Sequence, residues 1–193
     1  MNDIPTALRD LATPAPRDLG PSTLFRAGAV DQVASVDSPF GPVWVAWSSR
    51  GVTALTPRFV CGSLDDFATE HRRRTLEEGH LPNDLERRIT DALERGDTVD
   101  VPVDMRGLGE FQVSVLEACA TIRPGTVRSY GWIAGELSNP GAVRAVGTAL
   151  GKNPIPLIVP CHRVVRSDGA VGNYAFGAAM KHELLVREGA ILA

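Results

Sequence analysis

The sequence predicts an α+β protein: a small N-terminal α/β domain with an antiparallel sheet, followed by a mainly helical C-terminal domain that contains a helix-turn-helix. Two observations predict this division. Segments rich in β-branched and aromatic residues lie early in the chain, whereas helical spacing of apolar residues dominates after residue 107. The charge also divides, because residues 1–106 carry 12 Arg against 17 Asp and Glu, while residues 107–193 carry 8 Lys and Arg against 6 Asp and Glu.

Composition places the chain among globular proteins. It has 193 residues, of which 44% are hydrophobic and 22% charged, and its net charge is −3. Three cysteines are too few for a disulfide framework, no apolar run approaches the ~18 residues of a membrane span, and no secretory signal is present. We therefore expect a cytoplasmic protein without a membrane partner. As a whole-chain average, the mild acidity argues against a nucleic-acid partner.

Three parts are expected along the chain. Residues 1–20 are predicted to form a flexible tail, because their prolines accompany no sustained periodicity. The N-terminal α+β domain is expected at 21–106 and the C-terminal domain at 107–193. Gly107 and Gly109 interrupt the pattern at this boundary, where the charge changes sign.

Strands and two helices account for the N-terminal domain. The strands are predicted at 30–36, 43–47 and 52–55. A first helix is expected to run from its cap, Ser63, to Leu76, and a second from a capping box at Asn83 to its end at Gly96. Alternation of polar and apolar residues over 97–103 is typical of an edge strand. This domain shows no recognisable chemistry.

Short helices dominate the C-terminal domain. Apolar residues at helical spacing predict a helix over 108–122. Ser129 is placed to cap a short helix over 130–137, and a turn containing Pro140 leads into a helix over 142–150. Two short helices joined by a tight turn have the form of a helix-turn-helix, although many helical hairpins bind nothing.

The second of these helices carries mostly small side chains. Gly147 inside it costs ~1 kcal/mol relative to Ala. Two explanations are open: close packing against another helix, or entry of the helix backbone into a narrow groove. The minor groove of DNA is such a groove, and little sequence specificity is expected there.

Cys161 and His162 are adjacent in the segment 159–163. A cysteine is a nucleophile only as a thiolate, and its reference pKa of ~8.5 leaves little thiolate at neutral pH. An imidazole can take the proton, directly or through water, and an acidic residue commonly orients it. Glu188 is a candidate for that acid, since it ends a helix that starts near Gly177, where the helix dipole disfavours an anion.

A structural explanation stands beside each of these assignments. The cysteine could be a small buried hydrophobe, its neighbouring histidine a coincidence, and Glu188 a solvated helix end. We interpret Cys61 and Cys119 as buried hydrophobes. No zinc spacing is present, so no metal site is expected.

The segment 155–165 resembles the active-site segment of the O6-alkylguanine-DNA alkyltransferases. The resemblance extends over essentially all of 107–190. Further matching blocks are Phe111-Gln112, Gly125, Ser129-Tyr130, Ile133-Ala134, Asn139-Pro140, Arg144 to Gly147, Asn153-Pro154, Gly172 to Tyr174, Lys181, Leu184-Leu185 and Glu188-Gly189. The N-terminal half is only compatible with the family's variable first domain.

The resemblance implies a role for each catalytic position. Cys161 matches the alkyl acceptor, His162 the residue that withdraws its proton through a water, and Glu188 the acid behind it. Asn153 matches a residue that braces the active-site turn, and Tyr130 a phenol that serves N3 of the base.

The resemblance also implies the residues that contact the substrate. Arg144 matches the side chain that replaces a flipped nucleotide in the stack, and Ala145 and Gly147 lie on the helix that enters the minor groove. For the base pocket, the resemblance implies that Pro156, Val164 and Tyr174 form the walls. The backbone around Ala175 would donate to O6, and Phe176 would lie beside it.

The implied function is direct reversal of DNA damage. The protein would transfer the alkyl group of O6-alkylguanine, and of O4-alkylthymine, from double-stranded DNA to itself, once per molecule, as a monomer without a cofactor. Two alternatives are a damage-binding module of the alkyltransferase-like type, which lacks the acceptor cysteine, and a cysteine hydrolase. With a C-terminal half that is only modestly basic, we expect weak affinity for undamaged DNA that falls with salt.

Several positions depart from the family pattern. Leu116 stands where many members have Trp and Cys119 where many have Leu, and both are interpreted as core substitutions. Ala175 offers only backbone donation. Phe176, where some members have Gly, is expected to narrow the pocket against benzyl-sized adducts. The N-terminal half lacks both the zinc-binding set and the regulatory cysteine cluster of some relatives.

Overall fold

The computed structural model describes residues 21–71 and 75–192, so the expected tail at 1–20 lies outside the described residues. The N-terminal half contains both helices and strands. In chain order it contains α1 (Pro21–Ala27), β1 (Val30–Val36), β2 (Val43–Ser48), β3 (Gly51–Pro57), α2 (Leu64–Glu70), β4 (Thr75–Glu78) and α3 (Asn83–Arg95).

The four strands form one sheet in the order β3-β2-β1-β4. The pairs β1–β2 and β2–β3 are antiparallel, as predicted, and Val45 at the centre of the sheet pairs with Ala34 and with Leu55. β4 adds a parallel strand to the free edge of β1. The predicted antiparallel sheet is thus confirmed for its first three strands and extended by a fourth.

The first predicted helix is too long. Ser63 caps α2 as expected, accepting a hydrogen bond from the Asp66 amide, but the helix ends at Glu70. Thr75 and Leu76, predicted as the end of this helix, belong to strand β4 (Thr75–Glu78) instead. Pairing of its backbone with the edge of β1 outweighs local helix propensity, a competition that local sequence does not reveal.

The predicted edge strand over 97–103 is also wrong. The structure has a single bridge there, between Val103 and Val52, with hydrogen bonds from Val52 N to Pro102 O (2.9 Å) and from Asp104 N to Val52 O (2.8 Å). Pro102 has no N–H to donate, which limits the ladder.

The C-terminal half contains the two helices of the predicted helix-turn-helix. Its elements are α4 (Glu110–Ala120), β5 (Arg128–Ser129), α5 (Tyr130–Glu136), a 3₁₀ turn (Pro140–Ala142), α6 (Val143–Gly151), a second 3₁₀ turn (Cys161–Arg163), β6 (Val164–Val165) and α7 (Ala178–Arg187). The Ser129 hydroxyl caps α5 by accepting from Trp132 N at 3.0 Å. Asn139 precedes the first 3₁₀ turn without a side-chain cap.

One hydrophobic core joins the two halves. It includes Trp47 and Leu55 from the sheet together with Leu116 from α4 and Ile155 from the segment before Cys161, all at most 1% exposed. Leu55 N also donates to Pro154 O at 2.9 Å. The sheet therefore supports the segment that carries the cysteine.

Among the described residues, no helix is long and apolar enough to cross a bilayer.

We predict that replacing Gly51 by alanine destabilises the sheet, because the added methyl group has no room. Gly51 has a φ of +145°, and a Cβ there would collide with the Pro102 carbonyl. Gly41 has a φ of +89° but open space around it, so it is a matched control. In urea unfolding, Gly51→Ala should lower the free energy of unfolding by about 2–3 kcal/mol. Gly41→Ala should lower it by only about 1 kcal/mol, and equal losses would contradict this assignment.

Candidate active site

Cys161 begins a 3₁₀ turn on the wall of an open cavity. Its amide donates to Val159 O at 2.8 Å, and its side chain is buried, with 7% exposed. The cavity has a volume of about 600 Å³. Among the residues around it are Tyr130, Arg144, Gly147, Thr148, Cys161, Arg166, Asn173, Tyr174 and Ala175.

Asn153 holds the turn from below. Its Nδ2 donates to Val159 O at 3.0 Å and contacts the Cys161 sulfur at 3.3 Å, while its Oδ1 accepts from Ile155 N at 3.0 Å. One amide therefore connects both ends of the segment that precedes the cysteine. The sulfur position is set by these bonds.

His162 and Glu188 form a buried pair behind the cysteine. His162 Nε2 lies 2.9 Å from Glu188 Oε1, with side-chain exposures of 2% and 8%. The adjacent Arg163 donates from Nε to Glu188 Oε2 at 2.9 Å. The carboxylate that the helix dipole disfavours is thus held by two partners on the neighbouring turn.

These contacts set the ionisation of the site. Burial disfavours the charged form of Glu188, but the hydrogen bonds from His162 and Arg163 outweigh burial and lower its pKa to about 2. Burial lowers the pKa of His162, against the opposing effect of Glu188. Burial also raises the pKa of Cys161, opposed by the Asn153 hydrogen bond and the charge of Lys181. The free protein therefore holds a carboxylate, a neutral imidazole and a thiol.

The orientation of the imidazole follows from this pattern. With Glu188 ionised, His162 Nε2 carries the hydrogen and donates it, so Nδ1 has the lone pair. Nδ1 is buried and has no hydrogen-bond partner in the described part of the chain. It is the ring atom that can receive a proton.

Two tyrosines border the cavity. Burial raises the pKa of Tyr130, so it remains a phenol that can donate. The ring of Tyr174 lies edge-on to His162 with centroids 6.3 Å apart, and its hydroxyl is buried without a partner in the described residues. The sequence identified Tyr174 as a wall only; its hydroxyl is a further polar group at the site.

Helix α6 forms one side of the cavity. Arg144 and Ala145 are exposed on it, and Gly147 faces Tyr130. A Cβ on Gly147 would meet Tyr130 only at 3.9 Å, an ordinary contact. Packing against Tyr130 therefore does not require glycine at this position.

Some predicted pocket residues lie elsewhere. Pro156 and Phe176 line a neighbouring cleft rather than the cavity that holds Cys161, while Ala175 lines both. Val164 is fully buried, and its carbonyl accepts from Lys181 Nζ at 2.6 Å.

Two basic residues near the site were not identified as functional from the sequence. Lys181 is 1% exposed, and burial lowers its pKa to about 8. Lys181 precedes Leu184 and Leu185 by three and four residues, which places it on the apolar face of α7. This helical spacing could have identified it as a buried lysine. Arg163 lies within the segment 155–165 that carries the resemblance, but no role was assigned to it there. No group of three His, Cys, Asp or Glu residues suited to a metal occurs within 21–71 and 75–192.

Comparisons with known proteins agree on one family. The family described as "6-O-methylguanine DNA methyltransferase, DNA binding domain" matches residues 110–190. The chain is 36% identical over 174 residues to the Regulatory protein ada of Salmonella typhimurium, covering 85% of this chain and 48% of that protein. The chain thus spans about half the length of that curated relative.

Other relatives match over nearly their full length. A methylated-DNA–protein-cysteine methyltransferase of Methanosarcina mazei is 35% identical over 159 residues, which are 79% of this chain and 94% of that protein. The crystal structure of Mycobacterium tuberculosis OGT in complex with DNA superposes with a TM-score of 0.64 and 35% sequence identity. The superposition covers 83% of this chain and 93% of that one. Two further M. tuberculosis structures of the same kind are 34% identical. The chain belongs to the methylated-DNA–protein-cysteine methyltransferase family.

Proposed function

We propose that the protein repairs DNA by transferring the alkyl group of O6-alkylguanine, and of O4-alkylthymine, to Cys161. One observation carries the proposal: the cysteine, with a histidine–carboxylate pair behind it, opens into a cavity that shares a wall with the second helix of a helix-turn-helix. Relatives named for the same reaction, and one solved in complex with DNA, support it.

The transfer is a displacement at the alkyl carbon. The thiol proton passes to Nδ1 of His162, through a water, and the Glu188 carboxylate stabilises the resulting imidazolium. The thiolate then forms a carbon–sulfur bond as the carbon–O6 bond breaks, and the bonding electrons leave with guanine. The proton taken from the thiol is then passed to the departing base, so the products are a thioether on Cys161 and neutral guanine.

Three groups assist this step in the proposal. Asn153 orients the sulfur, since in-line attack needs the thiolate on the O6–carbon axis. The Tyr130 phenol serves N3 of the departing base, and the backbone around Ala175 donates to O6, because charge develops on the base as the bond breaks.

The substrate base must leave the duplex to reach a thiol that is 7% exposed. We propose that α6 enters the minor groove and that Arg144 fills the vacated position. In this proposal 107–193 is the DNA-binding and alkyl-acceptor domain and 21–106 its support. The cytoplasmic location expected from the sequence is also part of this proposal, and it agrees with DNA as the substrate.

The reaction is tested by mass spectrometry after incubation with duplex DNA that contains O6-methylguanine. We expect one methylene of added mass on Cys161, no addition in Cys161→Ala, and full transfer in the control Cys61→Ala, since Cys61 lies in the N-terminal half. At most one equivalent should be repaired per molecule. Repair without a lasting adduct would indicate a hydrolase, and binding without repair a damage-binding module.

Acid stability tests the Glu188 cluster. A folded pKa of about 2, below the ordinary 4.5, contributes stability that is present above about pH 4.5 and lost as pH falls toward 2. Glu188→Gln should lower the free energy of unfolding at pH 7 by about 3 kcal/mol and flatten its fall with acid. Glu183→Gln, an exposed carboxylate on α7, is the control. Parallel pH profiles for the wild type and Glu188→Gln would refute the assignment.

Base flipping is tested with Arg144→Ala. We expect the repair rate on duplex DNA to fall by about tenfold, because the extruded base leaves an unfilled gap in the stack. The reaction with free O6-benzylguanine, which needs no flipping, should keep its wild-type rate. Equal losses on both substrates would show that Arg144 acts on the chemistry instead.

A further inference from the structure

A second space lies beside the Cys161 cavity, where the two halves of the chain meet. It is a cleft of about 390 Å³. Ala175 lines both spaces, Tyr174 lines the cavity and Phe176 lines the cleft. The rings of Tyr174 and Phe176 meet edge to face, with centroids 5.3 Å apart. Residues 174–176 therefore form a partition between the cavity and the cleft.

Phe176 is also in contact with the N-terminal half. Its ring meets that of Phe59 edge-on, at a centroid distance of 6.5 Å and an interplanar angle of 75°. Phe59 is 64% exposed, so its side chain contributes little to the core. Phe176 is thus flanked by one aromatic ring from each half of the chain.

The loop that carries Phe59 is anchored on both sides. Arg58 N donates to Pro42 O at 2.9 Å, and the Arg58 guanidinium lies 4.8 Å from the Trp44 ring centre. After Phe59, the Cys61 carbonyl accepts from Trp44 Nε1 at 2.9 Å. A ring held by such a loop can fix the position of its neighbour.

We propose that Phe59 is a positioning residue that limits the size of the O6 substituent, by holding Phe176 in place and keeping the partition closed. The inference rests on the proposed alkyl transfer. With the backbone around Ala175 donating to O6, the substituent on O6 lies beside the partition. A methyl group fits on the cavity side, whereas a benzyl group needs Phe176 to yield toward the cleft.

The test compares single-turnover rates for O6-methylguanine and O6-benzylguanine in the same duplex. Phe59→Ala should raise the benzyl rate by about threefold, the value of a lost aromatic pair, and leave the methyl rate unchanged. Phe59→Tyr, which keeps the ring, should retain the wild-type ratio. Val99→Ala is the matched control, since Val99 is an 83% exposed apolar residue of the same half.

A double-mutant cycle separates this role from general loosening of the fold. Phe176→Ala should raise the benzyl-to-methyl ratio, and adding Phe59→Ala should change it no further, because Phe59 acts through Phe176. An unchanged ratio in Phe59→Ala, a change in both rates together, or a second increase in the double variant would overturn the inference. Absence of methyl transfer in the wild type would instead overturn the proposed function, and this inference with it.

Discussion

The buried carboxylate of Glu188 is the group on which the rest of the site depends. It orients His162 and neutralises Arg163, whose guanidinium also donates to the carbonyls of Ile122 and Gly96. Those carbonyls lie just beyond the ends of α4 and α3, so one ionic cluster joins both halves of the chain to the turn that carries the cysteine. A buried charge without partners is unfavourable, and the cluster is stable only as a whole.

The same constraint explains the backbone around the cluster. Gly96 ends α3 with a φ of +72°, and a Cβ there would lie 3.1 Å from Glu188 Oε1. The residue that ends the helix by its left-handed conformation also leaves room for the carboxylate. The end of α3 and the space for the Glu188 carboxylate therefore both favour glycine at this position.

Local sequence signals predicted most of the helices and strands, and they failed where pairing with a distant strand decided the structure. Ser63, Ser129 and Gly96 marked helix ends correctly because caps depend on adjacent atoms. Thr75 and Leu76 were assigned to a helix because their partners in β1, Val30 and Asp31, lie 45 residues earlier in the sequence. The structure also places Phe176 on the cleft side of the partition, away from the cavity of Cys161, although Tyr174, two residues earlier, lines that cavity.

The sequence by itself determined the chemical groups: a cysteine proposed as the acceptor, its adjacent histidine, a distant acid and a helix-turn-helix of small residues, since each is a local pattern or a family motif. Only the tertiary structure decided their ionisation, because the pKa values of Cys161 and His162 depend on burial by residues far along the chain. It also decided which half shapes the site. Phe59, in a segment without recognisable chemistry, contacts Phe176 because packing brings the two loops together.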